Sequence, residues 1–142
     1  MVATGYRPLE IIVINDGSTD RTDEVVRAHL AEQADPQGPA IRYRRVANGG
    51  KAKALNLALS MAQGDIVVTI DADSVMHPDF LARIADYLDR HDTAAAAGNV
   101  VIGNGRSMIG LLQQLEYLYG FYFKRAEALM GAVYIVGGAA AA

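Results

Sequence analysis

Leu9-Glu10-Ile11-Ile12-Val13-Ile14, followed without a break by Asn15-Asp16-Gly17-Ser18-Thr19-Asp20, decides the fold. The first half is short, apolar and β-branched, the pattern of a strand covered on both faces in a parallel sheet. The second half is a cluster of turn formers and helix N-cap candidates. A helix from about Asp20 to Gln33 follows, with Val26 and Leu30 on one face and Asp23 and Glu24 in the first turn, where the helix dipole favours acids. Asp35 to Pro39 ends it, and Ile41 to Val46 (IRYRRV) alternates as a second strand nearer an edge.

The same alternation continues. Asn48-Gly49-Gly50 is a turn, and Lys51 to Ala62 sets Ala54, Leu55, Ala58, Leu59 and Ala62 at helical spacing. Ile66 to Ile70 (IVVTI) reads as a third buried strand, running directly into Asp71-Ala72-Asp73-Ser74. Pro78 opens another helix whose core stripe is Phe80, Leu81, Ile84, Ala85 and Leu88. Ala94 to Ile102 reads as a fourth strand, Ser107 to Met130 as a long helix, and Ala132 to Val136 as a last strand. Strand–helix alternation with short links means an α/β domain with a mainly parallel sheet. No repeat or linker divides residues 1–142, so one domain is expected.

Composition narrows the function. The chain has 142 residues, 51 % hydrophobic and 20 % charged, so it can form a core. Its formal net charge of −3 argues against a nucleic-acid partner, which needs clustered Lys and Arg. The absence of cysteine excludes disulfides, thiolate metal sites and a Cys nucleophile. Met1 to Arg7 does not read as a secretory leader, and the longest uncharged run, Ala128 to Ala142, is shorter than the roughly 20 residues a membrane span requires. The opening strand and the Gly-Gly-Ala-Ala-Ala-Ala end read as a soluble fragment of a larger domain, incomplete at both ends.

Ligands of open parallel sheets bind beyond the carboxyl ends of the strands, which selects three turns. Asp71 and Asp73 repel each other unless donors or a hard divalent cation compensate. In strand geometry residues i and i+2 point the same way, so both carboxylates would reach one ligand; the alternative is a solvated turn with one Asp capping the next helix. Asn48-Gly49-Gly50-Lys51 has the make-up of a phosphate cradle, with glycines for close approach and a lysine at a helix start, or else is a surface turn with solvated Lys51 and Lys53. Asp16 is either a ligand acceptor or a turn aspartate satisfying backbone N–H groups. Walker A spacing and Gly-x-Gly-x-x-Gly are both missing, which disfavours a P-loop and a dinucleotide-dependent oxidoreductase. His29 and His91 read as helix-surface or helix-end residues, and His77, beside Pro78, as a cap.

Taken in order, Ile11 to Thr22 (IIVINDGSTDRT), Asn48 to Asn56 (NGGKAKALN) and Val68 to Ser74 (VTIDADS) resemble the family 2 glycosyltransferases of GT-A fold. Gly98 to Asn104 (GNVVIGN) and Leu112 to Tyr117 (LQQLEY) look most like its processive branch, the poly-N-acetylglucosamine, chitin and hyaluronan synthases. The resemblance implies a Rossmann-like nucleotide-sugar-binding fold. It also implies transfer of a sugar, N-acetylglucosamine being preferred, from a UDP-sugar to a growing polysaccharide with inversion. By motif, Asp16 would contact the uracil and ribose end of the donor and Lys51 the uracil or diphosphate. Asp71 would hold the ribose side, and Asp73 would ligate Mg²⁺ or Mn²⁺ bridging the diphosphate. The parent enzyme would sit at the plasma or inner membrane with this domain on its cytoplasmic face.

Two departures from the family pattern stand out. The general base of the family lies in a Thr/Ser-Glu-Asp segment, and processive members carry Gln-x-x-Arg-Trp; neither string occurs here, and there is no Trp. The family's first strand, ending in a Pro-x-Tyr-Asn-Glu-like string, is also missing. A positioned base supplies roughly 10²- to 10⁴-fold in rate, so the expectation is donor binding without completed transfer and no catalytic residue in this chain. The rival is a non-catalytic nucleotide-binding or interaction module of the same fold. The 107–130 helix carries Met108, Leu111, Leu112, Leu115, Leu118, Tyr122, Ala126 and Leu129 as a core stripe, widened by Ile109, Tyr117, Phe121 and Phe123. Its excess of apolar residues predicts exposed surface and association between copies. A missing edge strand would be a second route to pairing.

Overall fold

A computed structural model describes residues 4–32, 38–103, 107–132 and 140–141. The chain divides into two compact units, Met1–Val67 and Val68–Ala142, and each is described by itself.

The first unit is built on strand β1 (Glu10–Asp16) and strand β2 (Ala40–Val46), paired in parallel with Ile11 opposite Ile41 and Asp16 opposite Val46. Parallel neighbours need a crossover, and helix α1 (Thr22–Glu32) lies in it. Asp20 starts α1 by accepting from Thr22 N–H at 3.0 Å and Thr22 Oγ1–H at 2.5 Å. Val26 and Leu30 are half-buried as the spacing predicts, but no residue of α1 is fully buried. Polar bonds tie it to β2 instead: Tyr43 O–H donates to Asp23 Oδ1 at 2.7 Å, and Arg45 Nη1 lies 3.7 Å from Asp23 Oδ2.

Helix α2 (Lys51–Met61) follows β2 and packs on β1. Its half-buried positions are Ala54, Leu57, Ala58 and Met61, a spacing of three and four, while Leu55 and Leu59 are exposed. The buried face is therefore rotated from the stripe expected. The far end of α2 is tied to β1 and β2: Glu10 Oε1 accepts from Gln63 N–H at 2.5 Å and Gly64 N–H at 3.1 Å. Arg42 donates to Met61 C=O at 2.9 Å and Gln63 Oε1 at 2.8 Å, and lies 3.4 Å from Glu10 Oε2.

In the second unit, strand β3 (Thr69–Ile70) is two residues long and pairs antiparallel with strand β4 (Ala140–Ala141). The expected strand Ile66–Ile70 is thus mostly irregular, with Ile66 and Val67 exposed and the unit boundary falling after Val67. Helix α3 (Phe80–Arg90) buries Leu81 and Ile84, with Phe80, Ala85 and Leu88 half-buried, which is the expected stripe. The stretch from Ala94 to Ile102 forms no strand beyond an isolated bridge at Ala97. Four successive alanines followed by Gly98 and Asn99 supply little of the side-chain bulk that stabilises a ladder.

Helix α4 (Met108–Leu129) is capped by Ser107, whose Oγ accepts from Gly110 N–H at 3.0 Å. Gly110 is its only buried residue, and the stripe expected to be core is exposed, Leu112 at 63 % and Leu115 at 61 %. The expected strand 132–136 lies, beyond Ala132, outside the described residues. Among the described residues the buried apolar side chains are Ile11, Leu81 and Ile84.

Candidate functional site

Asp16 is the last residue of β1 and Lys51 the first of α2, so both stand at the carboxyl end of the β1–β2 pair. The half-buried Asp16 carboxylate is gripped by two backbone amides, Gly49 N–H to Oδ1 at 2.8 Å and Gly50 N–H to Oδ2 at 2.8 Å. The bonds are not those of a local turn, because the donors lie 33 and 34 residues downstream. Gly17 closes the same junction. Its φ is +75°, and a Cβ there would stand 2.6 Å from Asn48 N, an approach only glycine permits. Gly50, at φ +88°, turns the chain into α2.

This arrangement bears on the Asn48-Gly49-Gly50-Lys51 turn, read either as a phosphate cradle or as a surface turn. The two glycine amides face an anion, but the anion is the protein's own carboxylate. Lys51 is exposed at the helix start, and the stem of Lys53 folds back over Gly49, where a Cβ would lie 2.9 Å from Lys53 Cδ.

Beneath Asp16 is a polar network that sequence reasoning missed. Asn15, 5 % exposed, accepts from Ser18 N–H at 2.8 Å and donates through Nδ2 to Tyr43 Oη at 2.9 Å. Tyr43 passes its own proton toward Asp23, which also accepts from Arg27 Nε at 3.1 Å on both oxygens. The Arg27 guanidinium lies 5.4 Å from the Tyr43 ring centroid. The Tyr43 hydrogen bond first, then the Arg27 hydrogen bond, hold the Asp23 carboxyl below the ordinary aspartate range, with the charges of Arg27 and Arg45 assisting. Arg45 also donates to Ser18 C=O at 3.1 Å. The signal for this network was a lone polar-tipped aromatic in IRYRRV, opposite Val13 and two residues from the register position of Asn15.

Asp71 and Asp73 are in the second unit. Ser74 N–H donates to Asp71 C=O at 3.0 Å, so Asp71-Ala72-Asp73-Ser74 is a hydrogen-bonded turn and β3 has already ended at Ile70. Strand alternation therefore does not set the two carboxylates on one side. Asp71 is half-buried and Asp73 exposed. Further on, His77 Nδ1 accepts from Asp79 N–H at 3.3 Å, but Asp79 is the N-cap of α3 and no side chain caps that helix, so His77 is not the cap expected. Among the described residues, no three His, Cys, Asp or Glu side chains cluster as a metal cage, and no helix is long and apolar enough to cross a membrane.

A parallel βαβ unit whose strand-end loops carry an aspartate and a Gly-Gly-Lys turn, with an Asp-x-Asp turn after a later strand, defines a class. The family model described as Glycosyl transferase family 2 matches residues 2–142, and the chain belongs to that family. Its fold is accordingly the Rossmann-like α/β GT-A fold, and the parallel β1–α1–β2 unit is the part that positions Asp16 and Lys51. Among curated proteins it is similar to the poly-beta-1,6-N-acetyl-D-glucosamine synthase of Staphylococcus aureus, 36 % identical over 142 residues in strains COL and N315. That match covers 97 % of this chain and 33 % of the relative. The synthase of the same name from Staphylococcus epidermidis is 34 % identical over 140 residues, covering 94 % of this chain and 32 % of that protein. The chain thus spans about a third of the length of these relatives. No solved structure matches it.

Proposed function

We propose that this chain is the donor-nucleotide-binding part, within one glycosyltransferase domain, of an enzyme that transfers N-acetylglucosamine from a UDP-sugar to a growing polysaccharide with inversion. The observation that carries the reading is the family match along residues 2–142 together with relatives named as poly-N-acetylglucosamine synthases. The placement of Asp16 and Lys51 at the carboxyl end of a parallel strand pair supports it, since that is where such folds bind ligands.

In this reading Asp16 meets the uracil and ribose end of the donor, Lys51 brings positive charge to the uracil or diphosphate, and Asp71 holds the ribose side. Asp73, a hard oxygen donor exposed in its turn, would hold Mg²⁺ or Mn²⁺ at the donor diphosphate. When bound, such a cation offsets the negative charge that grows on the leaving diphosphate. The Thr/Ser-Glu-Asp base and the Gln-x-x-Arg-Trp string are not among these 142 residues, so the chain alone binds donor without completing transfer. The intact enzyme works at the plasma or inner membrane, with this part on the cytoplasmic face. The exposed apolar side chains of α4 support association between copies, which sedimentation at rising concentration tests.

Calorimetry with UDP and Mn²⁺ tests the donor site. Metal-dependent UDP binding by the parent chain, lost in Asp73→Ala while the fold is kept, is the expected result. A folded parent chain with no nucleotide affinity would make it a non-catalytic module of the same fold.

A further inference from the structure

We infer that Asp16 is a positioning residue: by accepting from both Gly49 and Gly50 it fixes the turn that launches α2, and so sets where Lys51 stands. Gly49 and Gly50 have no side chains to brace their loop, and Gly50 sits at φ +88°, so an isolated Asn48-Gly49-Gly50 segment has many conformations open to it. Two charge-assisted bonds of 2.8 Å to one carboxylate remove that freedom. A single carboxylate taking two successive amides fixes the plane of the turn as well as its distance from β1. Gly17 brings the β1 loop close enough for this to happen, since any side chain there would strike Asn48 N.

A second consequence concerns the ligand. Backbone amides at a helix start are ordinarily the donors that receive a phosphate. Here the Gly49 and Gly50 amides already face Asp16, so an anion reaching this end of β1 and β2 does not find a glycine nest. Asp16 still has lone pairs left, because a carboxylate accepts about four hydrogen bonds. It can therefore hold the turn and meet a donor N–H or hydroxyl together. This step rests on the reading of Asp16 and Lys51 as donor-site residues; the grip on the glycine turn does not.

Two measurements on the 142-residue chain separate these claims. The first is amide hydrogen exchange without any ligand. Asp16→Ala should speed exchange at Gly49 and Gly50 on the order of tenfold or more, the effect of losing a hydrogen bond to a charged acceptor. Amides in the middle of β1 and β2 should stay protected. Asp16→Asn, which keeps one acceptor oxygen, should fall between Ala and parent. Should Asp16→Ala lose protection throughout the unit, Asp16→Asn and Gly17→Ala carry the test. Unchanged exchange at both glycines in the folded variants would overturn the inference.

The second is a cycle of Asp16→Asn, Lys51→Ala and the double variant, titrated with UDP in excess Mn²⁺. The part of its effect that Asp16 exerts through Lys51 disappears once Lys51 is gone, while any direct contact with the donor remains. The weakening caused by Asp16→Asn should thus be at least about threefold smaller in the Lys51→Ala background, a coupling typical of residues that share one network. A residue that only stabilises the fold would leave the affinity of the folded molecules unmoved. Strictly additive losses would sink the positioning role of Asp16 toward Lys51. If the parent chain bound no UDP, the donor-site reading would fail, and the exchange measurement would still decide the grip on the turn.

Discussion

Replacing Tyr43 by Phe removes one oxygen and leaves the ring on which Arg27 rests, so it isolates the polar network under Asp16. Two bonds disappear: the 2.9 Å bond from Asn15 Nδ2 and the 2.7 Å bond to Asp23 Oδ1. Asn15 is 5 % exposed and cannot turn its amide to water, so its unpaired N–H should cost about 1–3 kcal/mol. The Asp23 part shows itself through pH. The Tyr43 hydrogen bond is the first cause holding the Asp23 carboxyl below its ordinary range. A depressed acid contributes stability above its unfolded pKa, near 3.9, and loses it as pH falls through the lower folded value. Tyr43→Phe lets the Asp23 pKa rise, so the variant forgoes part of this contribution at pH 7 and less of it in acid. Urea unfolding followed by far-ultraviolet circular dichroism should therefore show the variant weaker by at least about 1 kcal/mol at pH 7. The gap should narrow toward about pH 3 without closing, because the Asn15 loss does not titrate. A variant within about 0.5 kcal/mol of the parent at pH 7, or a gap that stays constant or widens on acidification, would refute the reasoning.

Three further expectations use the same material. Gly17→Ala should destabilise more than Gly50→Ala in urea unfolding: at Gly50 (φ +88°, ψ 157°) the backbone strain of about 1–3 kcal/mol acts alone, with nothing within 4 Å of an added Cβ, whereas at Gly17 (φ +75°) the Cβ also meets backbone at 2.6 Å. Glu10→Ala removes the acceptor for Gln63 and Gly64 N–H, so hydrogen exchange should accelerate at those two amides while the Asp16-bound glycines keep their protection. Asp73→Ala should abolish metal-dependent UDP binding in calorimetry and leave urea unfolding unchanged within about 0.5 kcal/mol, as its side chain is exposed.

How much of this was legible in the sequence depended on whether a single element or a junction was being read. The β1–α1–β2 crossover was legible because LEIIVI and the turn after it carry strong local signals, and the α3 stripe because five apolar positions keep strict helical spacing. The α2 face was misjudged for a physical reason: KAKALNLALSM is apolar nearly all round, so periodicity alone cannot tell Leu57 and Met61 from Leu55 and Leu59. The β-branched content of IVVTI predicts a full strand, yet a strand exists only where a partner ladder does, and within Ile66–Ile70 only Thr69 and Ile70 have one. Aromatic and aliphatic excess in α4 correctly forecast exposure, though not that the stripe itself would be exposed.

The site shows the same division at closer range. Asp16 and the Gly-Gly-Lys turn were each recognisable as unusual, and each had a plausible solitary explanation. What no local pattern could reveal is that the two answer each other across 33 residues, because parallel pairing brings the ends of β1 and β2 to one edge. That closure alters the electrostatics required of the proposed donor site. With the Gly49 and Gly50 amides turned toward Asp16, those two donors are taken, and the proposed donor site would draw on the Lys51 ammonium and a bound cation to offset the diphosphate charge. A site built that way should bind UDP only weakly without Mn²⁺, and its affinity should fall steeply with salt as exposed charges are screened. A glycine nest, whose dipoles are fixed and close, would show neither dependence so strongly. Metal and salt dependence in the same titration thus distinguishes a lysine-and-cation site from a phosphate cradle on the residues already described.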